Sequence, residues 1–129
     1  MHLNWLAVLA ATVSAFVLGG LWYGPLFKHA WCREAGVDMD AAPKHPARVF
    51  ATAFIASLVA AAAFAWLLGP APELLRAVHD GVLVGLAVVA MSFAINYSFA
   101  QRSLKLWLID GGYHTLQFAL YGLILGLWH

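Results

Sequence analysis

Asp110, His114 and Gln117 stand at i, i+4 and i+7 within LIDGGYHTLQ, residues 108–117, in a run that is otherwise almost wholly apolar. This spacing puts a carboxylate, an imidazole and an amide on one face of a helix. Such a face can hold a polar solute, exchange a proton or lock a partner helix. At the centre of a bilayer an Asp costs about 2.5 to 3.5 kcal/mol on insertion scales, so it is expected to turn toward other helices. Buried there, Asp110 either forms an ionic couple with His114 or takes up a proton, because desolvation disfavours the charged carboxylate.

The elements that must position this face follow from composition. The chain has 129 residues, of which 64% are hydrophobic and only 10% charged, far from the roughly 25% charged residues of a soluble domain. A hydrocarbon core of about 30 Å needs about 20 apolar residues per helix. Four stretches reach that length, residues 3–26, 48–68, 78–100 and 104–128, and with their connections they use nearly the whole chain. The expected fold is all-α, a polytopic membrane protein in which residues 1–129 form a single four-transmembrane-helix bundle. Met1-His2-Leu3-Asn4 lacks a basic leader, so the first stretch reads as an uncleaved span. The single cysteine, Cys32, excludes an intramolecular disulfide, and a net charge of +1 gives no sign of a nucleic-acid partner.

Basic residues set the orientation. Lys28, Arg33, Lys44 and Arg48 in the first connection and Arg102 and Lys105 at the third face Arg76 alone in the second. By the positive-inside rule the first and third connections are cytoplasmic and both termini lie outside, in what reads most simply as a bacterial inner membrane. Trp5, Trp66 and Trp128 then fall at outer ends and Trp22, Trp31 and Trp107 at inner ones, as aromatic belts would. The first connection mixes Phe27, Trp31 and Val37 with Lys28, Arg33 and Glu34, a pattern for a short amphipathic helix on the inner leaflet. Pro43 and Pro46 end that helix before the second span, and Pro25 ends the first span. Pro72 suits the first position of the third helix, where Glu73, Arg76 and Asp80 have pairing distance on one face.

Small residues allow close helix approach in lipid. Ala53, Ser57, Ala60 and Ala61 line the second span, Gly81 and Gly85 the third, and Gly111, Thr115, Ala119, Gly122 and Gly126 the fourth. These stripes serve either the bundle itself or a homodimer. LWYGPLFKHAW and INYSFAQRSLKLW, at the ends of the first and third spans, are faintly similar.

Counting helical rise inward from the basic edges gives depth. Tyr23, Asn96 and Asp110 reach about 7 to 8 Å, with Thr52 slightly shallower, and His114, Ser57 and Ser92 about 13 to 14 Å. Several helices therefore contribute to a polar layer. It is either an interhelical hydrogen-bond cluster or the lining of a pocket, with Gly111 and Gly112 leaving room for backbone, water or solute. A metal needs three or four ligands, and Asp110 with His114 supplies two. His29 and His45 lack a partner on their proline-containing loop. Haem would want imidazoles at matched depth, which His79 and His114 do not have. Ser57 or Ser92 near His114 makes a poor case for nucleophilic catalysis. No cofactor is called for.

Asn4-Trp5-Leu6-Ala7-Val8, the run Leu18-Gly19-Gly20-Leu21-Trp22-Tyr23-Gly24-Pro25-Leu26-Phe27 with Ala30-Trp31, and Gly112-Tyr113-His114 resemble an uncharacterised family of membrane proteins, domain of unknown function 1761. The resemblance runs from end to end and implies a small four-helix membrane protein without supplying a reaction. Lys28-His29 stands where the family more often has Gly-Lys, and Asp110 where many members would have Asn. That shifts weight from Asp110 to Trp22, Tyr23 and His114.

Two functions follow as expectations. One is a small-solute or proton-linked transporter or channel, dimeric because four helices are few for a pore, with Trp22 at its inner mouth and Tyr23, Asn96, Asp110, His114 and Gln117 along its polar path. The other is a module that binds a lipid, an apolar ligand or a partner membrane protein, the polar layer serving packing. An enzyme is less expected than either.

Overall fold

A computed structural model describes residues 3–38 and 45–129. Pro43 and Lys44, and Met1 and His2 of the leader, lie outside the described residues. The described residues form four long helices and one short one: α1 (Trp5–Leu26), α2 (Lys28–Ala35), α3 (Pro46–Leu68), α4 (Leu74–Phe99) and α5 (Leu104–Leu127). Three of them, α1, α3 and α4, are long and apolar enough to cross a membrane. The fourth expected span, α5, is not among them. It has 24 residues, length enough, but it carries Asp110, His114 and Gln117. Its position explains why it can. α5 packs against α4 and α1 more extensively than any other pair of helices meets, and buries residues along its whole length, from Leu106 to Leu125. The polar residues sit on the helix that has neighbours on several sides.

Helix ends follow local chemistry. Asn4 Oδ1 accepts from Ala7 N at 3.1 Å and Ser103 Oγ from Leu106 N at 3.1 Å, satisfying first-turn donors of α1 and α5. Pro46 opens α3. α4 begins one residue after its cap, Glu73, so Pro72 lies before the helix and not at its first position. Arg76 and Asp80 pair across one turn at 3.3 Å. α2 ends at Gly36, whose left-handed φ of 76° closes the helix.

α1 leaves helical geometry at the residue before Pro25 and ends one residue after it, where the proline was expected to end the first span. The helix widens into a π turn over Trp22–Leu26, kinks at Gly24 (φ −98°, ψ −105°) and is capped by Phe27. Proline lacks the N–H for the ordinary helical bond and disfavours helical geometry at the residue before it, which is where Gly24 departs from the helix. A second π turn spans Val84–Ala90 in α4.

The amphipathic helix expected in the first connection is α2, and it is tied to the connection between α4 and α5. Arg102 Nη2 donates to the Glu34 and Ala35 carbonyl oxygens at 3.2 and 2.6 Å, capping the C-terminal end of α2. The Ser103 hydroxyl donates to the Glu34 carboxylate and, with the Arg33 and Lys105 cations, holds it below its ordinary range. Both basic connections therefore lie at one end of the bundle.

The glycine stripes are consumed inside the chain. A Cβ at Gly81 would fall on the Phe118 carbonyl, one at Gly122 on the Ala77 carbonyl, and one at Gly85 would lie 2.7 Å from His114 O. α4 and α5 thus meet backbone to backbone, glycine against helix in both directions. On α3 the stripe closes only in part: Ala61 is buried, Ser57 and Ala60 are half-buried and Ala53 is exposed. α3 packs chiefly on α1 and has little contact with α5 or α4. Its first half stands off from α5.

Candidate functional site

Asp110 faces the bundle, as expected, and is only 7% exposed. Of its three partners, Tyr23 was expected and the other two were not. Oδ1 accepts from Tyr23 Oη at 2.6 Å and Trp31 Nε1 at 3.0 Å, and Oδ2 accepts from Tyr97 Oη at 2.5 Å. The donors come from α1, α2 and α4, so one carboxylate joins four elements. None of them is a cation. Two more indoles reinforce the arrangement, Trp22 Nε1 donating to Ile109 O at 2.8 Å and Trp107 Nε1 to Ala90 O at 2.7 Å. The inner-end tryptophans of the supposed belt are thus internal donors around α5.

One turn further along α5 lies a second polar chain. His114 Nδ1 is 2.6 Å from Gln117 Oε1, Gln117 Nε2 donates to Tyr121 Oη at 2.7 Å, and Tyr121 Oη donates to the Ser57 carbonyl at 3.2 Å. The expected ionic couple of Asp110 with His114 gives way to these two separate systems, because each has nearer partners. Phe93 stacks on the His114 ring at 5.0 Å between centroids, and Tyr113 meets it edge-on at 4.9 Å. Gln117 is buried, and Tyr121 is fully so.

Where α3 stands off, two clefts open beside this chain. The larger, about 620 Å³, lies among α1, α3 and α5 and runs from Lys28 past Tyr23, Phe16 and Phe50 to Ser57 and His114. The smaller, about 400 Å³, lies on the other side of α3, reaching Val89 and Gln117, and shares Ser57, Tyr113 and His114 with the first. His114 Nε2 makes no hydrogen bond among the described residues. No sealed side-chain nitrogen or oxygen there lacks a partner, so this ring nitrogen is not sealed, and the His114 side chain lines both clefts.

The sequence candidates are thus divided. Tyr23 joins Asp110, and Gln117 joins His114. Trp22 packs beside Gly112, where a Cβ would lie 3.1 Å from its ring. The room that Gly111 and Gly112 leave is taken by the Trp22 and Trp107 indoles and the Ala90 methyl. Asn96 is exposed on α4, pointing away from the layer that its depth suggested, and its neighbour Tyr97 takes that place. Thr52 is exposed as well, and the Ser92 hydroxyl turns back to Val88 O at 2.7 Å. Depth counting cannot tell facing from averted residues.

Sequence reasoning missed Trp31, Tyr97 and Tyr121. A signal for Tyr97 was present in the faint similarity of LWYGPLFKHAW and INYSFAQRSLKLW. Aligned on Leu21-Trp22-Tyr23 and Ile95-Asn96-Tyr97, it pairs the two tyrosines that grip opposite oxygens of Asp110. Among the described residues no three His, Cys, Asp or Glu side chains gather to hold a metal ion.

Fold and site together define an all-helical protein with three helices apolar and long enough for a membrane, assembled around a polar helix whose carboxylate is held by neutral donors. The chain matches the model of the family described as protein of unknown function DUF1761 over residues 6–126, and it belongs to that family. No curated protein and no solved structure matches it.

Proposed function

We propose that all four long helices cross the bilayer, with the basic connections on the cytoplasmic side of an inner membrane and both termini outside, and that the protein binds an amphiphile in the cleft among α1, α3 and α5. The observation that carries this reading is the cleft itself. It is walled by apolar side chains, and its polar features are few and local. Lys28 stands at the basic end, and Ser57 and the unpartnered His114 nitrogen stand about one helical turn past Asp110 on the way inward. Sites for small apolar molecules combine such walls with a few placed polar groups. Conduction of a solute or proton through Asp110 has less support, because both carboxylate oxygens are engaged and, among the described residues, no hydrogen bond links that cluster to His114.

Native mass spectrometry of the detergent-purified protein tests the reading. Ala53 is exposed and lines both clefts, so Ala53→Trp fills them without disturbing either polar chain. The unsubstituted protein is expected to carry a lipid-sized adduct and Ala53→Trp to lose it, with helical circular dichroism unchanged. Equal adduct occupancy in both proteins, or none in either, rejects amphiphile binding at this site.

A further inference from the structure

We infer that the amphiphile taken by the cleft has a neutral head bearing a hydroxyl group, which donates its hydrogen to His114 Nε2; this rests on the reading of the cleft as an amphiphile site. The direction of the polar chain carries the argument. A backbone carbonyl only accepts, so Ser57 O fixes the Tyr121 hydroxyl as donor to it. The Tyr121 oxygen then receives the Gln117 amide N–H, which turns Gln117 Oε1 toward His114. An amide oxygen also only accepts, so His114 carries its hydrogen on Nδ1. This assignment comes from the network, as tautomers must. Nε2 is left with a lone pair that is not sealed, on a side chain that lines the cleft.

A lone pair selects its ligand. A carboxylate, phosphate or ether oxygen brings only lone pairs to it, whereas a hydroxyl brings a hydrogen. The oxygen of that hydroxyl still needs a donor. Ser57 has a hydroxyl that makes no hydrogen bond among the described residues, and it lines the same cleft as His114. An alcohol can therefore donate to His114 and accept from Ser57, with its hydrocarbon against Phe16, Val49 and Phe50. Among the described residues Lys28 is the one cation that lines the cleft, and it stands in the α1–α2 bend, whereas Ser57 and His114 lie within α3 and α5. An anionic head would belong with Lys28.

Thermal unfolding in detergent, with farnesol, farnesyl methyl ether and farnesoic acid at equal mole fraction in the micelle, tests this. A ligand that binds only the folded state raises Tm according to its affinity. Farnesol is expected to bind about fivefold more tightly than its methyl ether, the worth of one net hydrogen bond. His114→Phe keeps an aromatic ring on Phe93 and should abolish the preference. Ser57→Ala removes a donor that the alcohol and ether oxygens can both use, so it should weaken both ligands and leave the preference in place. Equal affinity for alcohol and ether overturns the hydroxyl assignment while leaving an amphiphile site in place. Tighter binding of the acid, lost in Lys28→Ala, overturns it in favour of an anionic head. No shift with any of the three overturns both this inference and the amphiphile reading beneath it.

Discussion

Replacing Asp110 should divide sharply according to what the new side chain can accept. Asp110→Ala removes the acceptor of three donors at once, Tyr23, Trp31 and Tyr97. Interhelical hydrogen bonds in membranes average about 0.6 kcal/mol, so three give a lower bound of about 2 kcal/mol. Bonds to a charged group contribute about 1.5 kcal/mol at the low end, which sets the upper figure near 4 to 5 kcal/mol. Asp110→Asn behaves differently. Its amide oxygen keeps both bonds now made to Oδ1, and its NH₂ meets Tyr97 Oη, which can accept if its own hydrogen turns away. The net loss is about one bond, roughly 1 kcal/mol. Reversible unfolding in mixed detergent and dodecyl sulfate, followed by circular dichroism, gives both values. Tyr97→Phe should then cost less in the Asp110→Asn background than alone, since the two share one contact. If alanine and asparagine destabilise equally, or if alanine costs under about 0.5 kcal/mol, the carboxylate is not the junction that this geometry makes it.

Three further outcomes are expected. Gly122→Leu should prevent folding, because its Cβ lands on the Ala77 carbonyl, whereas Gly20→Leu, with nothing within 4 Å, should fold; thermal unfolding of the two compares them. Since the glycine faces are occupied within the chain, a homodimer would meet through the outward face of α4, so Asn96→Cys is expected to give an oxidant-dependent cross-linked dimer. A dimer seen by light scattering but not cross-linked through that position refutes this contact. Glu34 has a folded value below its unfolded one, so its contribution to docking α2 is full above the ordinary carboxylate range and is lost as pH falls through the lowered value. Ser103→Ala should move the Glu34 titration upward, as read by carboxyl NMR, and an unmoved titration would show that the hydroxyl is not its main partner.

The helices were legible because apolar length is a strong signal, and the amphipathic helix because Trp31 and Val37 alternate with charges. Their bounds shifted by a few residues at most, except at α4, which starts four residues earlier than the apolar run suggested. The site was legible as a depth and a face of α5, since Asp110, His114 and Gln117 all turn into the protein. Its wiring was not. Whether Asn96 or Tyr97 faces α5 depends on the phase of α4, and the π turn over Val84–Ala90 changes that phase without a proline to announce it. The reach of Trp31 from a surface helix to a carboxylate on α5 depends on how α2 folds back, which the kink at Gly24 decides. Similarly, the standing-off of α3 reflects contacts it does not make.

The order of the three donors along the chain bears on how the protein is made. Tyr23, Trp31 and Tyr97 all precede Asp110, and Gly81 and Gly85, which accept the backbone of α5, precede it too. Synthesis runs from the N-terminus, and earlier elements can settle before later ones emerge. α5 is therefore the last of these four long helices to leave the ribosome and the least able to enter lipid by itself. It reaches the membrane when every group that compensates its acid is already there. If all four long helices cross the bilayer as proposed, its insertion is a docking event against three placed helices, and a shortage of those helices would strand it at the membrane surface.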